Sequence, residues 1–303
     1  YYYVNYPQVF DGEEHEGYYT QEQIKDVVAY AASKYINVVP EIEMPGHALA
    51  ALASYPELSF DSTQTYKVSP TWGVFEQVFC PSETTFKFFE GVMDEVVELF
   101  PSEYIHIGGD ECPKTAWKNS AFCQQLIRQL GLKDDVTPSK VDGVKHSKED
   151  KLQSYFVTRM EKYLNDKGRN IIGWDEILEG GLAPNATVMS WRGVEGGLNA
   201  AKAGHNAIMT PMPYAYLDFY QEDPAIAPTT IGGYTTLKKT YSYNPAPDDA
   251  DELVKKHVIG MQGNIWREYM KNSDRTDYQA FPRAMAIAET GWTLDANIMA
   301  GRD

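Results

Sequence analysis

Residues 104–111, with the sequence YIHIGGDE, carry the side chains of this chain that are best suited to chemistry. A β-rich run passes through two glycines and then delivers Asp110 and Glu111 side by side. This pattern predicts a strand whose glycines let the backbone lie close to a ligand. Two adjacent acids suit acid/base chemistry, because one carboxylate makes it harder for its neighbour to ionise.

Acids and aromatic side chains also follow five other predicted strands, at the point where each strand ends. They are Glu41 with Glu43, Trp174 with Asp175 and Glu176, Trp191 with Arg192, Tyr216 with Asp218, and Trp266 with Glu268. Any one of them could equally be a packing residue or a helix cap. However, the carboxyl ends of all strands meet on one face of an α/β barrel, and that face holds the active site. Aromatic faces pack on the C–H face of a sugar and carboxylates accept its hydroxyl hydrogens, so the set favours a sugar site.

The elements that must position these residues alternate between strand and helix. The apolar periodicity predicts strands at residues 37–43, 104–107, 170–173, 187–190, 206–210 and 258–265. It predicts helices that start after Thr20 and Ser82, and helices at 123–130, 149–167, 195–203 and 278–289. In the first helix Ile24, Val27, Val28, Ala31 and Ala32 form a stripe expected to face the core. This order predicts an α/β fold with a parallel sheet and helices outside it.

Composition limits the classes of partner. The 303 residues are 43% hydrophobic and 23% charged, which suits one large core, so residues 1–303 are predicted to form a single (β/α)-barrel domain. The net charge of -16 argues against nucleic acid and against an anionic membrane surface. Three cysteines without CxxC spacing indicate neither a zinc site nor a disulfide framework. No metal and no organic cofactor is predicted.

The ordered motifs resemble those of glycoside hydrolase family 20, the β-N-acetylhexosaminidases. The matching stretches are HIGGDE at 106–111, PEIEMPGH at 40–47, GWDE at 173–176, SWR at 190–192, YLD at 216–218 and WRE at 266–268. The resemblance covers nearly the whole chain and implies a TIM (β/α)8-type barrel.

What the resemblance implies is substrate-assisted, retaining hydrolysis, an exception to the two-carboxylate scheme of most glycosidases. Glu111 would be the general acid and later the base, while Asp110 would orient the 2-acetamido group of the substrate. The acetamido oxygen would attack and give an oxazolinium intermediate, with Tyr216 hydrogen-bonded to that oxygen. The remaining implied roles are sugar-pocket walls for Trp174, Trp191 and Trp266, hydroxyl binding for Asp218 and Glu268, and support of Asp110 or the substrate for His47. For His47 a purely structural role in the Pro-Gly turn stays open, and His106 is expected to be a core residue.

The amino end departs from the family pattern. Family members open the barrel with two further strands, the first of which carries a sugar-binding arginine, whereas the first arginine here is Arg128. About six of eight strands are therefore expected. A fragment of a longer polypeptide, a second chain that completes the barrel (a homo-oligomer among the choices), and a naturally shortened protein are the explanations left open.

The sequence thus predicts a retaining exo-β-N-acetylhexosaminidase that acts on terminal GlcNAc or GalNAc, the choice between the two staying open. A non-catalytic N-acetylhexosamine-binding protein is the alternative. A chitinase-like endo-enzyme is disfavoured because the Asp-rich strand motif of that family is missing from the sequence. A periplasmic or secreted location is expected for a glycan hydrolase.

Overall fold

The structure, a computed structural model, describes residues 17–293, which form two compact units. Unit 1 comprises residues 17–139 and 143–186, and unit 2 comprises residues 140–142 and 187–293. Nearly all of the predicted amino-terminal loop at 1–17 lies outside the described residues. Within the described part of the chain, no helix is both long enough and apolar enough to cross a membrane.

Unit 1 is built on two parallel strands. They are β1 (Tyr104–His106) and β2 (Asn170–Trp174), with Tyr104 opposite Asn170. Its described helices are α1 (Gln21–Ser33), α2 (Leu49–Ser54), α3 (Glu83–Leu99), α4 (Thr115–Asn119), α5 (Ala121–Gln129) and α6 (Lys148–Asp166). Short 3-10 helices span Pro56–Leu58 and Asp175–Leu178.

The strand predicted before β1 is reduced to one parallel bridge, between Glu41 and His106. The backbone N–H of His106 donates to Pro40 and the N–H of Ile42 donates to His106, both at 2.9 Å. The segment therefore runs beside β1 as a strand would. This pairing brings Glu41 and Glu43 to the carboxyl end of β1.

The helices predicted after Thr20 and Ser82 start where the sequence predicts, whereas α5 starts two residues and α6 one residue earlier than predicted. Ser82 caps α3 through the N–H of Thr85, and Phe86 and Phe89 on its buried face contact Phe156 of α6 with ring centroids 4.8 and 6.1 Å apart. A side chain such as Phe86 contributes about 1.5–3 kcal/mol when it leaves water.

The apolar stripe of α1 does not reach a core. Thr20 and Gln23 form the predicted capping box at the start of the helix. However, none of the side chains of α1 is fully buried in the described structure, and Val27 is 54% exposed. The prediction of a core-facing stripe is wrong here, because α1 packs along α3 with much of its apolar face left in contact with solvent. Periodicity marks a face but does not supply its partner.

Unit 2 is built on three parallel strands in chain order. They are β3 (Thr187–Ser190), β4 (Ala207–Met209) and β5 (Val258–Met261). Its described helices are α7 (Glu195–Lys202), α8 (Met212–Ala215), α9 (Leu237–Tyr241), α10 (Glu252–His257), α11 (Ser273–Ala280) and α12 (Arg283–Trp292). The single last helix predicted at 278–289 is wrong. It is two helices, because Pro282 cannot continue the backbone hydrogen bonding of α11.

Candidate active site

Asp110 and Glu111 lie directly beyond β1, as predicted, in an unusual backbone. Gly108 and Gly109 have φ of 68° and 96°, and Glu111 itself has φ of 43°. A Cβ atom on Gly108 would lie 1.9 Å from Oε2 of Glu43. The glycine is therefore required by a close approach to a side chain of the protein. A left-handed glutamate costs about 1–2 kcal/mol, and such strain is often found at functional sites.

His47 bridges the two carboxylates. Its Nε2 lies 3.5 Å from Oδ2 of Asp110 and 3.3 Å from Oε2 of Glu111. The turn that carries it is pressed against the acidic loop, since a Cβ on Gly46 would lie 2.9 Å from the carbonyl oxygen of Asp110. Hydrogen bonding to Asp110, and then to Glu111, raises the pKa of His47 to about 10. The imidazole is thus positively charged at neutral pH.

Asp110 and Glu43 ionise unequally although they are neighbours. Burial raises the pKa of Asp110, but the interactions with His47 and Glu43 outweigh it and leave that pKa lowered. Burial raises the pKa of Glu43 well above its ordinary value, and the negative charge of Asp110 adds to the effect. Glu43 accepts the N–H of Gly109 at 3.0 Å. The proton of this pair therefore stays on Glu43, and Asp110 is the carboxylate.

One carboxylate oxygen of Asp110, Oδ1, is buried and, among the residues that the structure describes, has no hydrogen-bond partner. A buried acceptor in that condition costs about 1–3 kcal/mol, which a ligand that donates a hydrogen bond would recover.

Trp174 ends β2 beside the acidic loop and is 3% exposed. Its indole Nε1–H donates to Oε1 of Glu41 at 2.9 Å, and its ring lies 4.8 Å from that of His106. Burial lowers the pKa of His106 to about 4, so its ring is neutral, and its Nδ1 accepts the N–H of Gly108 at 3.0 Å. His106 is the core residue that the sequence predicts.

In unit 2, Tyr216 and Trp191 lie together. Their rings are stacked, with centroids 6.3 Å apart and an interplanar angle of 30°. Tyr216 follows α8 directly and pairs with Asn264 in a parallel bridge, and the N–H of Leu217 donates to the carbonyl of Asn264 at 2.7 Å. These bonds hold the segment that carries Tyr216 and Asp218.

Asp218 and Glu268 form a second acidic pair, within unit 2. Asp218 is 4% exposed, and burial raises its pKa to about 7, with a further increase from the charge of Glu268 and a decrease from that of Arg283. Oδ1 of Asp218 and Oε2 of Glu268 are buried without a hydrogen-bond partner among the described residues. Two free carboxylate oxygens suit the binding of a polyhydroxyl ligand.

Trp266 and Glu268 lie farther from a strand than predicted. The strand predicted at 258–265 ends at Met261, so the two residues belong to the loop that follows β5. The indole of Trp266 is 38% exposed.

Two residues that shape the site were not among the predicted site residues. Glu43 was noted as an acid at a strand end, but nothing in the sequence places it against Gly108 and Asp110. Arg283 is fully buried, but nothing in the sequence indicates this, because a lone arginine in a helical pattern is ordinarily a surface residue.

The sequence of this chain is similar to those of known beta-hexosaminidases. Residues 4–295 match the family model of glycosyl hydrolase family 20, catalytic domain. A beta-hexosaminidase of Porphyromonas gingivalis is 50% identical over 285 residues, which cover 93% of this chain and 35% of that protein. A beta-hexosaminidase of Vibrio furnissii is 36% identical, with 95% of this chain and 45% of the relative covered. The chain thus spans between about a third and a half of the length of these relatives.

Solved structures give the same result. A crystal structure of a beta-N-acetylhexosaminidase matches with a TM-score of 0.81 and 31% identity, over 96% of this chain and 61% of that one. The exo beta-N-acetylglucosaminidase of Vibrio harveyi in complex with N-acetylglucosamine matches with a TM-score of 0.78 and 33% identity, over 94% and 43%. The fold class is therefore the TIM-type α/β barrel, with five strands and the bridged segment at Glu41 in the described residues. The chain belongs to glycosyl hydrolase family 20.

Proposed function

We propose that this chain carries the catalytic site of a retaining exo-β-N-acetylhexosaminidase, which releases terminal GlcNAc or GalNAc from glycans by substrate-assisted catalysis. The observation that carries the proposal is the arrangement of Asp110, Glu111 and His47. It combines a partly exposed acid, Glu111, with the carboxylate of Asp110, whose Oδ1 is buried and has no hydrogen-bond partner among the described residues.

The roles of the unit 1 residues follow from their environments. Glu111, whose side chain is 35% exposed, is the general acid that protonates the leaving oxygen, and it activates water in the second step. Asp110, ionised by its contact with His47, accepts the acetamido N–H through Oδ1 and stabilises the positive charge of the oxazolinium. His47 holds both carboxylates in place. Trp174, whose N–H is bound by Glu41, contributes an apolar wall.

Tyr216, Trp191, Asp218, Trp266 and Glu268 of unit 2 are proposed to bind the substrate. The Tyr216 hydroxyl would donate to the acetamido oxygen as that oxygen attacks the anomeric carbon. Trp191 and Trp266 offer flat faces for the sugar ring. The free oxygens of Asp218 and Glu268 would accept hydrogens from its hydroxyl groups.

The first test is hydrolysis of p-nitrophenyl β-N-acetylglucosaminide by this chain. Glu111→Gln should lower kcat/KM by at least about 100-fold, because a positioned general acid contributes about that much. The loss should shrink with a dinitrophenyl leaving group, which departs without a proton. Glu98→Gln, an exposed residue of α3 in the same unit, is the matched control and should keep the wild-type rate.

The nature of the nucleophile needs a separate experiment. If the acetamido oxygen attacks, the matching β-glucoside without an acetamido group should not be hydrolysed. A cyclic thiazoline analogue of the oxazolinium should compete with substrate. Equal rates on the two substrates, or binding of N-acetylglucosamine without any turnover, would contradict the proposal.

A further inference from the structure

Arg283, the first residue of α12, is fully buried and donates to four backbone carbonyls. Its Nη1 donates to Phe219 at 3.2 Å and to Thr235 at 2.8 Å. Its Nη2 donates to Leu217 at 2.6 Å and to Gln279 at 2.7 Å. A planar guanidinium can hold several acceptors in a fixed geometry, which a lysine ammonium cannot do.

Two of these carbonyls flank Asp218 directly. Leu217 and Phe219 are the residues before and after it, so their peptide groups fix the backbone from which the carboxylate projects. The ring of Phe219 in turn lies 5.5 Å from that of Tyr216. Arg283 therefore acts on the segment of unit 2 that holds Tyr216 and Asp218, two of the proposed substrate-binding residues.

The third carbonyl belongs to the far arm of the same loop. Thr235 donates its N–H to Tyr220 at 2.8 Å, next to a parallel bridge between Tyr220 and Tyr234. Arg283 thus ties both arms of the loop to the start of α12. Gln279 reinforces the arrangement, because its Nε2 donates to the carbonyls of Leu217 and Phe219 at 3.2 and 3.3 Å.

A contribution to stability does not by itself explain why an arginine is buried at this position. A buried charge must be desolvated, and apolar side chains of similar volume usually stabilise a core as well or better. Burial lowers the pKa of Arg283 to about 10, so the side chain remains charged at neutral pH. The desolvation cost of this buried guanidinium is consistent with a role in fixing the backbone around Asp218 and in lowering the pKa of Asp218.

The pKa of Asp218 depends on the charge of Arg283. The charged groups that act on it are Glu268, which disfavours its ionised form, and Arg283, which favours it. Tyr278 acts on Arg283 in turn. Loss of the guanidinium would leave the Asp218 carboxyl buried beside a second acid without a compensating positive charge.

We propose that Arg283 is a positioning residue, which fixes residues 216–219 so that Tyr216 and Asp218 are presented to the sugar. Its charge also lowers the pKa of Asp218 relative to the value that burial and Glu268 would otherwise give. This inference rests on the proposed function for its ligand. The proposed role of Arg283 acts through the backbone carbonyls that it binds and involves no contact with the substrate.

Three variants separate the geometric contribution from the electrostatic one. Arg283→Met removes both the four hydrogen bonds and the charge. Gln279→Leu removes two bonds to the same carbonyls and leaves the charge in place. Arg275→Met is the matched control, because Arg275 is half-buried and donates to the carbonyls of Pro228 and Thr229 in the same loop, away from Asp218.

Two measurements are made on the 303-residue chain. The Kd for N-acetylglucosamine is obtained by NMR titration, and the ionisation of Asp218 is followed by the ¹³C shift of its carboxyl, assigned by the loss of that signal in Asp218→Asn. Arg283→Met should raise Kd about tenfold or more and raise the pKa of Asp218 by about one unit or more. Gln279→Leu should raise Kd about threefold with the Asp218 titration unchanged. Arg275→Met should change neither quantity.

A folded Arg283→Met protein with wild-type Kd and a wild-type Asp218 titration would overturn the inference. If circular dichroism shows that Arg283→Met does not fold, Gln279→Leu decides, and an unchanged Kd in that variant overturns it. Failure of the proposed function appears separately, as a wild-type chain that neither binds nor hydrolyses the sugar. In that case the titration of Asp218 in Arg283→Met still measures how the guanidinium affects the pKa of Asp218.

Discussion

Replacing Asp218 with asparagine should remove the contribution of the Asp218 carboxyl to the pH dependence of the free energy of unfolding. The folded-state pKa of Asp218 is raised to about 7 from an ordinary value of 3.8. Its carboxyl therefore contributes stability that is fully present below the unfolded-state pKa and is lost as the pH rises through about 7. An asparagine side chain at this position would carry no such proton, and the two side chains have nearly the same shape.

The size of the effect follows from linkage. Between about pH 5 and pH 7 the folded chain holds the proton and the unfolded chain does not, so each pH unit lowers the free energy of unfolding by about 1.4 kcal/mol. The sum from about pH 5 to about pH 8 is about 2.7 kcal/mol, with little further loss above it. With an unfolding entropy of about 2.1 cal/mol/K per residue, this corresponds to a change in Tm of roughly 4 °C for a chain of this size.

The assay compares thermal unfolding of the wild-type chain and Asp218→Asn near pH 5 and near pH 8. All other titrating groups are common to both proteins, so their contributions cancel in the difference. The wild-type chain should lose roughly 4 °C more than the variant on going to the higher pH. Asp26→Asn, at an exposed position of α1, is the control and should follow the wild type. Equal losses in the wild-type chain and in Asp218→Asn would show that Asp218 titrates normally, and would refute the argument from burial and Glu268.

Two further predictions concern unit 1. Gly108→Ala should lower the free energy of unfolding by roughly 2–4 kcal/mol, because its Cβ would overlap the carboxylate of Glu43. Gly168→Ala is the control, since Gly168 has φ of 72° and open space around the new atom. It should lower the free energy of unfolding by only about 1 kcal/mol. Similar losses for the two variants in urea unfolding would rule out the close approach as the reason for Gly108. His47→Gln should lower kcat/KM about 10–100-fold, since it removes charge-assisted bonds to Asp110 and Glu111. It should also move the acid limb of the pH–rate profile to higher pH, because His47 holds the pKa of Asp110 down, and an unmoved acid limb would contradict that role.

Local signals determined much of the fold. The capping box at Thr20 and the serine cap at Ser82 consist of hydrogen bonds between residues three positions apart, so they could be predicted from the sequence. Strand positions followed from short apolar runs bounded by turns, and Thr187–Ser190 was predicted to the residue. The order of the motifs also predicted the family, since acids and aromatic side chains directly after six predicted strands are rare by chance.

What the sequence could not supply were contacts between distant residues. Glu43 reaches the N–H of Gly109 across 66 positions, and Arg283 reaches the carbonyl of Leu217 across another 66. No periodicity encodes such pairs, because they depend on how whole strands and helices pack. The exposed stripe of α1 has the same cause, since the pattern specifies an apolar face and not the surface that meets it.

The division is clearest at Asp110 and Glu111. The sequence by itself determined that two neighbouring acids end a strand, with glycines before them. Only the tertiary structure decided which neighbours each acid has: His47 between the two, and Glu43 behind Asp110. Ionisation follows burial and nearby charge, which are properties of the folded chain, so the assignment of Asp110 as the carboxylate depends on the fold.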